Sequence, residues 1–302
     1  MLFVRFSLFL YHSTEKPLKL WNSSGNQRFV AFIMPQIDGK SVHFRYYHPM
    51  SEQLPLPPGH TLVTTEDGSI TLFSEAFQEA CHSATGAKTE TILHYIEGCK
   101  ILEKTKSHSP LIILEVGFGL GVGFLTTLEK IPADKKWHFI SMELDRNLLQ
   151  WFCDNHPELK LEWNDDILET TFENFKLTII QGDARKRLPD YFKNHPEKVH
   201  AIYQDAFSPK RNPTLWTKEW FDLLKKISHP DVILSTYSAS GSIRKSLHET
   251  GWGLQKGEKF GAKRTSTRAF LNRASDPEIL LQMERSPASA LTDLQISELL
   301  TK

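Results

Sequence analysis

Leu111-Ile112-Ile113-Leu114-Glu115-Val116-Gly117-Phe118-Gly119-Leu120-Gly121 decides how this chain is read. Its first half is a short apolar run without alternation, the pattern of a strand buried on both faces of a parallel sheet. An acid and a Gly-x-Gly-x-Gly turn close the run, and Phe124-Leu125-Thr126-Thr127-Leu128 then opens a helix. Strand, glycine turn and helix together bring bare backbone close to a ligand at the carboxyl edge of a sheet. The glycines alone also fit nicotinamide and flavin dinucleotides. Glu115 shifts the balance, because a pyrophosphate gains nothing from a buried negative charge beside it. A cofactor with an amino group or a sulfonium does, and S-adenosylmethionine carries both. Gly117, Gly119 and Gly121, with Glu115, are the expected cofactor turn.

Further along, Glu143 closes a second strand, Trp137-His138-Phe139-Ile140-Ser141-Met142-Glu143, 22 positions after Gly121. An acid there reaches a ribose diol, in S-adenosylmethionine and NAD alike. A third strand, 177–181, runs into Gly182-Asp183-Ala184. Asp183 is placed to accept an adenine amino group, with Gly182 and Ala184 leaving room for the ring. The alternative for Asp183 is a plain turn. Further strands are expected at 199–204, 231–236, 252–258 and 266–271, and helices at about 121–130, 145–155, 215–227 and 241–250. The alternation implies a doubly wound α/β sheet, mostly parallel, with helices on both faces.

The loop after the fourth strand, Asp205-Ala206-Phe207-Ser208-Pro209-Lys210-Arg211-Asn212-Pro213-Thr214-Leu215-Trp216, lies beside a topological switch point. Asp205 can accept a hydrogen bond from an amine and aim its lone pair at a sulfonium methyl. Phe207 offers a plane to a base, and Lys210 with Arg211 a basic pair.

This loop resembles the methyltransferase domain of the bacterial tRNA 5-methylaminomethyl-2-thiouridine enzymes, whose pattern is Asp-Gly/Ala-Phe-Ala/Ser-Pro-x-x-Asn-Pro-x-x-Trp. The resemblance continues through Ser235-Thr236-Tyr237-Ser238-Ala239-Ser240-Gly241, Ile243-Arg244, Leu247, Gly251 and Gly261-Ala262-Lys263-Arg264. Upstream, Cys81-His82-Ser83-Ala84-Thr85-Gly86-Ala87 with Glu90 is similar to a segment of the stand-alone members. The match spans about 61–271. It implies a class I Rossmann-like, seven-stranded S-adenosylmethionine-dependent methyltransferase that methylates the aminomethyl amine of the wobble uridine in tRNA. Asp205 is then the catalytic residue, and Glu90 joins the cofactor set. Phe207, Lys210, Arg211, Lys263 and Arg264 are expected on the RNA. The fused family's flavin oxidoreductase finds no counterpart in 272–302, so no flavin is expected, and its Gly-Phe-Gly-Arg-Lys-Arg turn is altered here to Lys259-Phe260-Gly261-Ala262-Lys263-Arg264. A small-molecule amine methyltransferase, an aminopropyltransferase and a non-catalytic adenosyl-ligand binder remain as alternatives.

Composition sets the remaining limits. Lys and Arg number 36 and Asp and Glu 36, so an RNA partner must be held by a local patch rather than a global field. Residues 241–273 supply one, with Arg244, Lys245, Lys256, Lys259, Lys263, Arg264, Arg268 and Arg273 against Glu249 and Glu258. The three cysteines, Cys81, Cys99 and Cys153, are scattered and suggest neither a disulfide framework nor a metal knuckle. No metal is expected, since displacement at a sulfonium needs geometry rather than a Lewis acid. In the apolar run 1–11 the charge, Arg5, sits inside the run, and no clean small-x-small site follows, so export is not expected and a cytoplasmic protein is. No stretch approaches the ~18 apolar residues of a membrane span.

The expected organisation is an N-terminal extension over 1–58, a hairpin and helical cap over 59–104, the catalytic domain over 105–273 and a helical or ragged tail over 274–302. Asp67-Gly68 between Thr61–Thr65 and Ser69–Phe73 predicts the hairpin, and 75–104 reads as helical, broken near Ser83-Ala84-Thr85-Gly86, with Thr89 as a cap of the second helix. The acidic stretch 156–176, with Glu158, Glu162, Asp165, Asp166, Glu169 and Glu173, reads as a solvated loop.

Overall fold

In a computed structural model, residues 55–259 and 265–300 are described. They belong to one compact unit, 54–302. The expected extension over 1–58 falls almost wholly outside the described residues, as do Lys263 and Arg264.

The unit opens with a three-stranded antiparallel sheet, β1 (His60–Thr64), β2 (Ile70–Ser74) and β3 (Glu79–Ala80). Asp67-Gly68 makes the turn between β1 and β2, with Gly68 at φ +77. Three short helical pieces follow: α1 (Ala87–Thr91), a wide π-helical turn (Ile92–Glu97) and α2 (Ile101–Lys104). The helical reading of 75–104, broken near 83–86, is corrected before the break, where β3 lies, and holds after it. Thr89 does not cap the helix. Its amide donates to the Asp67 carboxylate at 3.1 Å, and the Ser69 hydroxyl takes the Ala87 amide at 2.9 Å. The hairpin turn therefore caps α1 from across the chain, satisfying amides that a helix start leaves open.

The main sheet has nine strands. In chain order, β4 (Leu111–Val116), α3 (Val122–Lys130), β5 (Trp137–Glu143) and α4 (Arg146–Asn155) come first, then β6 (Glu162–Asn164), β7 (Ile167–Thr171) and β8 (Phe175–Gln181). Next are α5 (Ala184–Asn194), β9 (Val199–Gln204), α6 (Lys218–Ile227), β10 (Ser228–Thr236), α7 (Gly241–Glu249), β11 (Gly253–Lys256), β12 (Thr267–Phe270), α8 (Pro277–Arg285) and α9 (Asp293–Leu300). The sheet order is β11-β12-β10-β9-β4-β5-β8-β7-β6. From β10 through β8 the pairs are parallel, and β12 lies antiparallel between β10 and β11. This contains the seven strands expected, plus two that were not. The acidic stretch 156–176 is not a loop: β6 and β7 form a hairpin that extends the β8 edge. Leu168 and Thr170 turn inward there, while Glu162, Asp165 and Thr171 stay exposed.

Burial explains the layering. Every residue of β4 is buried, as an inner parallel strand requires. One face carries Phe124, Phe139, Phe152, Tyr95, Ile96 and Ile101, from α3, β5, α4 and the cap helices. The other carries Leu188, Trp216, Trp220, Phe221, Trp252 and Ile279, from α5 to α8 and their flanks. Helix α5 was not foreseen; of the two readings of the tail, helical or ragged, the helical one holds, and α8 buries Ile279 and Met283.

At the edge where β4, β9 and β10 begin, His108, His200 and His229 bring ring nitrogens within 4.8 Å of one another. Asp231 bonds His108 Nε2 at 2.7 Å and His229 Nδ1 at 2.5 Å. The Ile112 amide donates to His200 Nδ1 at 3.0 Å, so the neutral His200 ring carries its proton on Nε2 and directs no lone pair into the group. This donor set suits a hydrogen-bonded cluster better than a cation. His200 is pushed from the ordinary 6.5 to about 4 by burial and by His108 and His229, against the opposing pull of Asp231. Its folded value lies below its unfolded one, so its contribution is complete above pH 6.5 and fades as pH falls towards 4. His138, lowered to about 4 chiefly by burial, acts in the same window. The urea midpoint should fall from pH 6.5 to 4, and His200→Asn, which keeps an acceptor for Ile112, should flatten part of that fall. An unchanged slope would assign the acid sensitivity elsewhere.

Candidate functional site

The cofactor-type turn follows β4 directly. Gly117, Gly119 and Gly121 hold φ of +104, +55 and +73, a region that only glycine enters without strain. Close approach adds a second constraint at Gly117, where a Cβ would stand 2.9 Å from the Asp205 carbonyl oxygen. A Cβ at Gly119 would meet only Cys81 Sγ, at 3.8 Å. The turn thus has the Asp205 backbone on one side and the cap on the other.

Glu143 ties the turn to β5. Its carboxylate accepts the Gly119 amide and the Asp145 amide, both at 2.9 Å. Asp145 in turn caps α4, accepting the Asn147 amide at 2.8 Å. Glu115 is buried, accepts the Ser141 hydroxyl at 2.8 Å, and lies against the start of α3. A Cβ on Gly123 would sit 1.7 Å from its Oε1. Burial pushes the Glu115 carboxyl far up; the Ser141 hydroxyl pulls it back, and the charges of Asp205 and Glu143 push it up again. Burial also raises Glu143, opposed by its amide donors. A cation held here would favour both ionised forms.

Gly182 (φ +119) donates its amide to the Glu143 carbonyl at 2.7 Å, which brings the β8 end beside the β5 end. Asp183 is exposed and caps α5, accepting the Arg185 amide at 2.9 Å, and Ala184 is buried behind it. The turn reading of Asp183 is therefore realised on one carboxyl oxygen. Acids at 115, 143 and 183 stand on one edge, at the ends of neighbouring strands.

Beyond β9, the Asp205 amide donates to the Val116 carbonyl at 3.2 Å, across the switch point between β4 and β9. The Asp205 side chain is met from the cap. Tyr95 donates its hydroxyl to Oδ1 at 2.5 Å, and His82 Nε2 lies 3.7 Å from Oδ2. The His82 Nδ1 is 2.9 Å from Thr71 Oγ1 of β2. The cap also grips the rest of the loop: Glu79 accepts the Ser208 amide at 2.9 Å, and Phe77 stacks on Phe207 with centroids 4.3 Å apart. From the far side, Tyr237 donates to the Ala206 carbonyl and Trp216 to the Phe207 carbonyl, at 2.9 and 2.8 Å. Lys210 and Arg211 are exposed. Buried Glu90 accepts the Ser83 amide at 2.8 Å and orders the loop that carries His82.

Tyr95, Phe77, Glu79 and Tyr237 had no sequence signal as site residues. Tyr95 sits among Ile92, Leu93 and Ile96, where spacing cannot distinguish it from core. Burial first, then nearby carboxylates, holds the Tyr95 and Tyr237 phenols and the Cys81 thiol well above their ordinary values, so all three stay neutral donors. The edge thus gathers four carboxyl groups, Glu79, Glu115, Glu143 and Asp205, and a bound cation would draw Glu115 and Glu143 to their ionised forms. It can hold a cationic ligand and a second amine beside it.

The basic stretch 241–273 is not one outward face. Arg244 is buried and bonds Thr267, Thr265 and Gln282, and Lys245 donates to the Ser286 carbonyl. Lys256 pairs with Glu278, and Arg273 lies over the Phe270 ring. These four hold α7, α8 and the β11–β12 edge together.

A family model described as S-adenosyl-L-methionine-dependent methyltransferase matches residues 147–272. Over 244 residues the chain is 30% identical to the tRNA 5-methylaminomethyl-2-thiouridine biosynthesis bifunctional protein MnmC of Azoarcus sp. (strain BH72), covering 74% of this chain and 37% of that protein. The MnmC of Idiomarina loihiensis is 31% identical over 179 residues, 52% of this chain and 29% of that protein. The chain therefore spans well under half the length of these relatives. Among solved structures, MNMC2 from Aquifex aeolicus is similar with a TM-score of 0.66 and 29% identity, over 80% of this chain and 81% of that one. Among the described residues, no helix is long and apolar enough to cross a membrane.

Proposed function

We propose that this chain, a member of the S-adenosyl-L-methionine-dependent methyltransferases, methylates the primary amine of 5-aminomethyl-2-thiouridine at the wobble position of tRNA, in the cytoplasm. One observation carries the reading: the Asp205 carboxylate, held at the β4–β9 switch point near the carboxyl groups of Glu115 and Glu143, beside a glycine turn open at Gly119. The relatives' part in making 5-methylaminomethyl-2-thiouridine in tRNA supports the choice of substrate.

In this reading Gly117, Gly119 and Gly121 admit the cofactor to the backbone. Glu143 takes the ribose diol, and Asp183 the adenine amino group between Gly182 and Ala184. Glu115 and Glu90 supply negative charge for the cofactor's cationic end. Bound S-adenosyl-L-methionine supplies a methyl group on a sulfonium. Once the substrate ammonium has given a proton to solvent water, its amine, held by Asp205, would take the methyl group: the N–C bond forms as the C–S bond breaks, the C–S electron pair stays on sulfur as a neutral thioether, and a secondary ammonium results. Alignment at near-attack distance carries much of the rate. Phe207 stacks on the base, and Lys210, Arg211, Lys263 and Arg264 meet phosphates.

Mass spectrometry of wobble nucleosides from a deletion strain tests this. Accumulated 5-aminomethyl-2-thiouridine is expected, and an unchanged profile would overturn the reading. Lys210→Ala with Arg211→Ala should raise the tRNA KM and reduce the slope of log KM against log salt by about one for each phosphate that the two side chains neutralise. Turnover at saturating tRNA should stay the same. Equal methylation of a free small amine by wild type and double variant would favour a small-molecule enzyme instead.

A further inference from the structure

We infer that Tyr95 is the positioning residue of Asp205: its hydroxyl fixes the carboxylate as an anionic acceptor, so Asp205 orients the amine and stabilises its growing positive charge instead of taking its proton. This rests on the proposed methyl transfer to an amine.

The geometry starts from the cap. Tyr95 lies in the π-helical turn Ile92–Glu97, a wide winding that recurs at functional sites. Its ring is buried and stacks on Tyr203 of β9, with centroids 5.1 Å apart. That stacking fixes where the hydroxyl points, and the hydroxyl reaches Asp205 Oδ1 at 2.5 Å. A hydrogen bond to the charged form of an acid weakens it as a base and strengthens it as an anion. The phenol is itself held neutral, chiefly by burial and then by Asp205, so it remains a donor.

The groups facing Asp205 agree with this division. Tyr95 and His82 approach from the cap, one at each carboxyl oxygen. Cys81 of the same loop, Glu115 of β4 and Tyr237 beyond β10 also feel the Asp205 charge. The Tyr95 hydroxyl, at 2.5 Å, stands closer to the carboxylate than His82 Nε2, at 3.7 Å. During displacement at a sulfonium, positive charge moves from sulfur to the attacking nitrogen. A fixed carboxylate beside that nitrogen stabilises the transition state more than the neutral amine before it. Protonated, the same carboxyl would lose that effect.

Tyr95→Phe keeps the ring and its stacking and removes only the hydroxyl. Single-turnover methyl transfer to unmodified tRNA should fall about 10- to 100-fold, the effect of losing a hydrogen bond to a charged group. Cofactor affinity should hold. The acid limb of the single-turnover pH profile should move to higher pH. A parallel measurement needs no RNA: a 13C NMR titration of the Asp205 carboxyl, assigned with Asp205→Asn, should show a higher midpoint in Tyr95→Phe than in wild type. An unchanged rate, or a slower rate with neither the acid limb nor the carboxyl midpoint moved, overturns the inference. A moved midpoint in a protein whose wild type methylates no tRNA would overturn the proposed function and leave the Tyr95–Asp205 link standing.

Discussion

Asp205→Ala should lower single-turnover methyl transfer by ~100-fold or more while leaving S-adenosyl-L-methionine affinity nearly unchanged, the scale of removing an acid–base or positioning group. The Asp205 backbone packs on Gly117, but its carboxylate points to Tyr95 and His82. Removing the side chain therefore spares the turn. Asp205→Asn is the informative companion. The Tyr95 hydroxyl would select the amide oxygen, leaving the amide NH2 towards the substrate amine. Two donors then face each other, and the rate should resemble that of Asp205→Ala. An Asn variant near wild type would mean that an acceptor atom suffices without charge. A wild-type rate in Asp205→Ala would put the reactive centre elsewhere on the sheet edge.

Gly119→Val should abolish cofactor binding in calorimetric titration while circular dichroism stays that of the wild type. Gly119 holds φ +55, which a β-branched residue adopts only with strain, and its Cβ direction is open apart from Cys81 Sγ at 3.8 Å. The added methyls thus meet space a nucleoside needs rather than packed core. Its neighbours make poor substitutes for the test. A Cβ at Gly121 would stand 2.5 Å from Phe152, and one at Gly123 would overlap Glu115, so changes there would disturb folding itself. Wild type should bind the cofactor without added metal and should not bind NADH. Tight NADH binding, or a Gly119→Val protein that still takes up S-adenosyl-L-methionine, would refute the roles assigned to the turn.

What was legible in the chain follows from burial. Leu111–Val116 and Trp137–Met142 are buried residue for residue, so they stand out as mainly apolar runs without alternation. Asp67-Gly68 stands out because few residue pairs suit its turn. The hairpin β6–β7 was hidden because one side faces water and three of the eight strand residues are Glu or Asn on the exposed or half-exposed side. Helix α5 was hidden by Pro189 in its interior and by Arg185, Lys186, Arg187 and Asp190 around a narrow apolar stripe of Ala184, Leu188 and Tyr191. Glu115, Glu143, Asp183 and Asp205, and the glycines of the edge, were readable because each stands at or just past the carboxyl end of a strand. The cap's share was not. Tyr95 and Asp205 are 110 positions apart, and no local spacing encodes a partner at that range.

That separation bears on how the molecule comes into being. Closing a loop of this length costs more entropy than closing the short hairpin and strand–helix units on either side, although the cost grows only slowly with length. Contacts between distant positions also tend to be acquired late along a folding route. A nascent or refolding chain can therefore build the glycine turn and its neighbouring strands before the cap docks on Asp205. In a refolding time course, cofactor retention should return ahead of turnover, and the lag between them would time the docking of the cap.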